Sequence, residues 1–284
     1  MNTQQFIPHS LQRKTEVFSC TWKTPSNIAL VKYWGKTAPQ IPKNASISFT
    51  LSKSHTITTI NFTPKDTSAT EEIDFELFFE GKKKEDFKPK IAKFFKRIQE
   101  YCPYLFSYNM IISTENSFPH SSGIASSASG MSAIAMCLMS LEKSLSSVEL
   151  TDEFINKKAS FLARLGSGSA SRSLEGPLVV WGNHPAIEGS SDLFGVPFPY
   201  KVHEVFNNYQ DAILLVDKGQ KQVSSTVGHD LMHNHPFATQ RFQQANENLA
   251  TISEILQKGE LDSFINLVES EALSLHAMML TSNP

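Results

Sequence analysis

The 284 residues predict an α+β protein. Runs rich in β-branched and aromatic residues come early, at 55–62 and 73–80. Apolar residues at helical spacing dominate two long stretches late in the chain, near 236–258 and 261–280. Between them helices and strands alternate only loosely, with no internal repeat and without the strict succession of a doubly wound sheet.

Taken in order, HTITTINF at 55–62 reads as a strand. IDFELFFE at 73–80 puts Ile73, Phe75, Leu77 and Phe79 on one face by strict alternation, and GKKKED follows as a turn with solvated charge. KPKIAKFFKRIQEY at 88–101 spaces Ile91, Phe94, Phe95 and Ile98 as a helix, and NMIIS at 109–113 is a strand. The apolar stretch 127–144 is a buried helix whose Met131, Met136 and Met139 fill the core. A further helix covers 151–164, with Thr151 as N-cap and Gly166 at its far end. PLVVWG and DAILLVD are short strands, and Gly259 separates the two last helices.

Composition narrows the class. With 40% hydrophobic and 19% charged residues the chain can bury a large core, as one big domain or two lobes. A net charge of −2 supplies no field for nucleic acid or an anionic membrane, so any bound anion must be held locally. Cys20, Cys102 and Cys137 lack metal or redox spacing and fit reduced thiols. The N-terminus has no apolar signal core, and no apolar run approaches the roughly 20 residues of a membrane span. A cytoplasmic protein is the expectation.

Two Ser/Gly stretches carry the chemistry. PHSSGIASSASG at 119–130 runs from a strand into the start of an apolar helix, where unpaired N–H groups and the helix dipole favour anions. Glycine lets a phosphate approach and serine adds donors, although a serine-rich N-cap would read alike. It lacks the G-K-[ST] ending of a Walker A loop. FLARLGSGSASRSLEGP at 161–177 sets small donors beside Arg172; the structural alternative is a tight helix end with Gly166 at C′. His229, His233 and His235 lie close in sequence, but a zinc site would need further ligands, and Pro236 marks a loop or helix start. Trp34 and Trp181 read as buried aromatics.

PHSSGIASSAS resembles the P-x-x-x-G-L/I-x-S-S-x-S motif of the GHMP kinase superfamily. SNIALVKYWGK at 26–36 and ARLGSGSASRSLEG at 163–176 resemble the N-I-A-x-x-K-Y-W-G-K and R-x-G-S-G-S-A-C-R-S segments of the diphosphomevalonate decarboxylases. IPKNASISFTL at 41–51, KQVSST at 221–226 and HAMMLTSNP at 276–284 extend the likeness along the chain. The resemblance implies the two-lobed GHMP kinase fold. Residues 1–183 would form a nucleotide-binding lobe like ribosomal protein S5 domain 2, and 184–284 a ferredoxin-like, helical lobe that is incomplete.

The activity implied is ATP-dependent decarboxylation of 5-diphosphomevalonate to isopentenyl diphosphate, with Mg²⁺ bridging the nucleotide oxygens. On this resemblance Ser122, Gly123, Ser126, Ser127 and Ser129 face the ATP phosphates, with Ser127 the one residue named for Mg²⁺. Arg172 grips the substrate carboxylate, and Lys32, Tyr33, Lys36, Ser167, Ser169 and Ser225 hold the diphosphate or its surroundings. Arg172 and Lys36 are the catalytic candidates. A homodimer is a family expectation on which no sequence feature bears. The sequence departs from the family at Ser171 in place of Cys, at His229 in place of Met and at Thr226 in place of a basic residue. The family's aspartate base, in T-x-D-A-G-P-N, has no counterpart here, so no aspartate is carried over as base. Two rival readings share the motifs: a GHMP kinase that stops at phosphorylation, and a non-catalytic nucleotide- or substrate-binding homologue.

Overall fold

The computed structural model describes residues 2–65, 73–119, 123–214 and 225–282. Along the chain come strands β1 (Phe18–Val31), β2 (Lys36–Thr37), β3 (Ile41–Pro42), β4 (Ser46–Pro64), β5 (Asp74–Phe79) and β6 (Lys82–Lys83). Helix α1 (Lys88–Ile98) and strand β7 (Tyr108–Asn116) lead to helices α2 (Ser126–Leu145) and α3 (Asp152–Gly166). After a 3-10 turn at Gly168–Arg172 come β8 (Leu178–Trp181), β9 (Val196–Pro197), α4 (Ser225–Asp230), α5 (Ala238–Lys258) and α6 (Leu261–Leu280).

The residues group into two compact units. Unit 1 takes Met1–Asn27, Leu51–His120 and Ile124–Leu174; unit 2 takes Ile28–Thr50, Ser121–Gly123 and Glu175–Pro284. The long strands β1 and β4 each contribute one end to either unit.

In unit 1 the strand order is β6-β5-β7-β4, parallel between β5 and β7 and antiparallel elsewhere. The alternation predicted at 73–80 holds: Phe75 and Leu77 are buried while Asp74 and Glu76 face water. β1 also pairs with β4, tied by Ser19–Asn61 and Thr21–Thr59 side-chain hydrogen bonds of 2.6 and 2.7 Å. Helix α2 is buried nearly all round, as its composition dictates. Thr151 caps α3, its Oγ1 accepting the Phe154 N–H at 3.2 Å. Between these helices Lys158 Nζ donates to both oxygens of Glu142 at 2.7 Å, with both side chains buried.

Gly166 ends α3 without the left-handed turn of a C′ glycine; the following Ser167 is extended. Its lack of a side chain answers to packing. A Cβ there would stand 2.6 Å from Met131 Sδ on α2 and 3.0 Å from Phe94 on α1.

In unit 2 residues 46–49 of β4 pair with β8, and β8 with β9, both antiparallel. Leu30, Ile47, Val180, Leu249, Ile252 and Phe264 form the centre of its core. Helices α5 and α6 are antiparallel neighbours joined through Gly259, whose φ of +81° closes α5. Both match the two long apolar patterns. DAILLVD is not a strand in its described part: Asp211–Leu214 is irregular, and the remaining residues lie outside the described ones.

Glu271, fully buried on α6, collects four donors. Arg241 of α5 gives it two at 3.0 and 2.6 Å, Asn248 one at 2.7 Å, and the backbone N–H of Lys32 one at 2.9 Å. A buried carboxylate is stable only when so surrounded. Those four bonds offset its desolvation, and the one from Lys32 fixes the chain at the end of β1.

Candidate active site

Unit 1 brings the parts of the two Ser/Gly stretches that it holds, residues 124–130 and 161–174, side by side. α2 begins after Ala125, which sits in the left-handed region at φ 49° and offers no side-chain cap. The loop is held from beneath, where Ser26 Oγ donates to the Ile124 carbonyl. The uncapped first turn therefore presents backbone N–H groups together with the hydroxyls of Ser126 and Ser127, both partly exposed. Ser127 Oγ lies 3.3 Å from Ser167 Oγ, the first residue beyond α3. Gly123 is exposed with φ +86°, whereas Ser122 lies outside the described residues.

Burial sorts the serines into two jobs. Ser129 is wholly buried and its hydroxyl is 2.6 Å from Thr56 Oγ1, so it braces the loop from the core side and does not face outward. Ser171 is buried and donates to the Gly168 carbonyl at 2.9 Å; Ser173 accepts from Asn27 Nδ2 at 2.6 Å. Ser132 Oγ of α2 bonds the Ala170 carbonyl at 2.8 Å, tying the turn to the helix. Ser167 and Ser169 remain partly exposed, and the Ser169 hydroxyl has no hydrogen bond among the described residues. Arg172 closes the turn and is only 2% exposed, a burial a guanidinium tolerates only among acceptors.

Beside Ser126 and Ser127 opens a cavity of about 200 Å³. Leu77, Phe79, Phe87, Ile91, Met131 and Ile134 make its walls mostly apolar, while Thr56, Thr114 and Asn116 add polar edges. A flat ring fits such walls, with anionic groups attached to it reaching the helix start. Sequence reasoning did not find this cavity, because its walls come from three strands and two helices far apart in the chain.

Unit 2 positions the N-terminal motif. Lys32 is pinned through its N–H to Glu271, and its Nζ donates to the Ala29 carbonyl at 2.8 Å. The Tyr33 ring is buried edge-on to Trp181, at 4.7 Å, and tilted against His229 at 4.3 Å. Trp181 is buried, as the sequence suggests, and its indole N–H donates to the Asp192 carbonyl at 2.9 Å. Lys36 starts β2, half-buried, and Ser225 opens α4. His235 is buried, with Nε2 3.1 Å from both the Met278 carbonyl and Thr281 Oγ1. Among the described residues no three His, Cys, Asp or Glu side chains group as a metal site. No helix is long and apolar enough to cross a membrane among them either.

Residues 24–192 match the family model for the diphosphomevalonate decarboxylase-like N-terminal domain. A diphosphomevalonate decarboxylase of Ganoderma lucidum is 30% identical over 280 residues, covering 94% of this chain and 67% of that protein. The chain belongs to the diphosphomevalonate decarboxylase family. Mevalonate diphosphate decarboxylase from Staphylococcus aureus shares its fold with a TM-score of 0.74 at 28% identity, over 94% of this chain and 76% of that one. A structure of MDDEF in complex with MVAPP, AMPPCP and magnesium aligns with a TM-score of 0.72 at 26% identity, over 94% and 76%. The α+β architecture is thus the GHMP kinase fold of the diphosphomevalonate decarboxylases.

Proposed function

We propose that the chain binds ATP and 5-diphosphomevalonate for the ATP-dependent decarboxylation that yields isopentenyl diphosphate, ADP, phosphate and CO₂, in the cytoplasm. The observation that carries this reading is the 3.3 Å approach of Ser127 to Ser167, which sets the two donor-rich loops against each other beside an apolar cavity. We assign nucleotide phosphates to the first turn of α2 with Gly123, Ser126 and Ser127, and the base of the nucleotide to the cavity. Ser167, Ser169 and Arg172 serve the substrate, as do Tyr33, Lys36 and Ser225. The lobes 1–183 and 184–284 are proposed as its nucleotide and C-terminal halves.

The donor set suits anions: hydroxyls and N–H groups meet at the start of α2, and among the described residues no three His, Cys, Asp or Glu side chains group as a metal site. Magnesium would therefore come with the phosphates, held on the protein side by Ser127, and would neutralise charge building on phosphate oxygens. The chain's own residues position and orient. The uncapped N–H groups of α2 face the charge that builds during phosphoryl transfer, already oriented before it develops. Arg172 offers a planar fork that orients the carboxylate to leave as CO₂ once the C3 oxygen carries phosphate. Orientation matters more here than tight binding, since a fork gripping the carboxylate alone would stabilise the ground state.

The test is release of CO₂ and ADP from the 284-residue chain given Mg²⁺-ATP and 5-diphosphomevalonate. Stoichiometric release of both establishes the reading and places the base within these residues. ADP without CO₂ favours a kinase, and binding without either product favours a non-catalytic homologue.

A further inference from the structure

Cys20 on β1 and Cys137 on α2 are 117 positions apart in sequence, yet the fold of unit 1 sets them face to face. Cys20 Sγ donates to the Cys137 carbonyl at 3.5 Å, and Cys137 Sγ donates back to the Cys20 carbonyl at 3.8 Å. The two thiols also hydrogen-bond each other. Cys20 is partly exposed and Cys137 is buried, so one sulfur is open to a small solute and the other lies behind it.

The surroundings hold the pair in place. The Trp22 indole N–H of β1 donates to Ser140 Oγ at 2.7 Å, and Thr24 Oγ1 donates to the Ser129 carbonyl at 2.7 Å. These bonds tie α2 to β1 on either side of Cys137. The two sulfurs differ in acidity. The hydrogen bond with Cys137, helped by Ser140 and opposed by burial, holds the Cys20 thiol below its ordinary value of 9.0. The same bond and burial push Cys137 up. Burial pushes Cys102 up to about 12. A thiolate is the form that attacks a peroxide, so Cys20 is the cysteine placed to react first.

We infer that Cys20 and Cys137 are a peroxide-responsive dithiol, oxidised to an intramolecular disulfide that staples β1 to α2. The Cys20 thiolate attacks one oxygen of hydrogen peroxide. The O–O bond breaks, the leaving hydroxide takes up the Cys20 proton as water, and Cys20 is left as a sulfenic acid. The Cys137 sulfur then attacks the Cys20 sulfur, and its own proton leaves with the displaced hydroxide as a second water. Two electrons pass from the sulfurs to the peroxide, and a thiol reductant restores both thiols. Neither step involves nucleotide or substrate, and both are independent of the function proposed above.

The test is brief exposure of the 284-residue chain to hydrogen peroxide, quenched with catalase, followed by thiol counting in denaturant and non-reducing peptide mapping. Expected is a fall from three free thiols to one, a Cys20–Cys137 linkage within one molecule, and recovery of all three with dithiothreitol. Cys137→Ala should instead accumulate the sulfenic acid at Cys20, trapped by dimedone. Cys20→Ser should keep its remaining thiols, and Cys102→Ser should still form the bond. Three thiols persisting, a bond to Cys102, a linkage between two molecules, or an oxidised Cys20 beside a free Cys137 overturns the inference. Each of those outcomes is read on the unaltered protein, so a variant that fails to fold does not obscure the result.

Discussion

Glu142 in unit 1 and Glu271 in unit 2 are both buried carboxylates paired to a cation, yet they do different work. Glu142 meets one cation, the Lys158 ammonium against both oxygens, between α2 and α3, with the Tyr104 hydroxyl as a further neighbour. Glu271 meets a guanidinium, an amide and the backbone N–H of Lys32, joining α5, α6 and the end of β1. The first is a pair that packs helices. The second is a junction that fixes the segment leading into Tyr33 and Lys36.

Truncation should break the junction hardest. Glu271→Ala leaves Arg241 buried without its partner and frees Lys32, a loss of about 3–5 kcal/mol by chemical denaturation. Lys158→Met alone should cost a similar amount, by stranding a carboxylate. The paired replacement separates the two sites. Glu142→Leu with Lys158→Met should come out between neutral and about 4 kcal/mol more stable, since only two charges are removed and both go. Glu271→Leu with Arg241→Met should not recover, because the Lys32 N–H and Asn248 lose their acceptor. Recovery of both doubles to the same degree would erase the distinction.

Titration sharpens it further. Burial, only partly offset by Lys158, holds the Glu142 carboxyl above its ordinary value of 4.5. The folded protein therefore binds that proton more tightly than the unfolded chain does. This contribution to stability is complete below 4.5 and is lost as pH rises through the folded value. Glu142→Gln should flatten that part of the stability-versus-pH curve, measured by urea midpoints across the acid range.

The smallest effects lie in the Ser/Gly turn. Ser171→Ala should lower stability by about 1 kcal/mol through its lost bond to Gly168, and leave 5-diphosphomevalonate affinity unchanged. Ser169→Ala should do the reverse, weakening substrate binding without moving the unfolding midpoint. Identical behaviour of the two would mean that burial does not sort the serines.

That sorting marks what the sequence could reveal. The helix at 261–280 was legible to the residue and the other long helices to within a few residues, and so was the alternation of β5. β1 was not: Pro25 and its mixed polar pattern hide a strand whose pairing comes from β4, distant in the chain. The motifs located the donor-rich loops, but every serine in them looks alike in one dimension. Only packing shows that Ser129, Ser171 and Ser173 face inward while Ser127, Ser167 and Ser169 do not. Glu271 gave no signal at all, because its three partner residues sit 23 to 239 positions away.

The missing side chain at position 166 has a consequence for anyone recombining this protein with its relatives. Met131 and Phe94 occupy the volume that a Cβ would claim, so α1, α2 and the end of α3 interlock at a single atom's width. A chimera that exchanges α2 alone, with a bulkier residue at 131, would push α3 outward and carry Ser167 away from Ser127. These three helices and the turn at Gly168–Arg172 therefore pack as one cassette, and shuffling should cut the chain outside it.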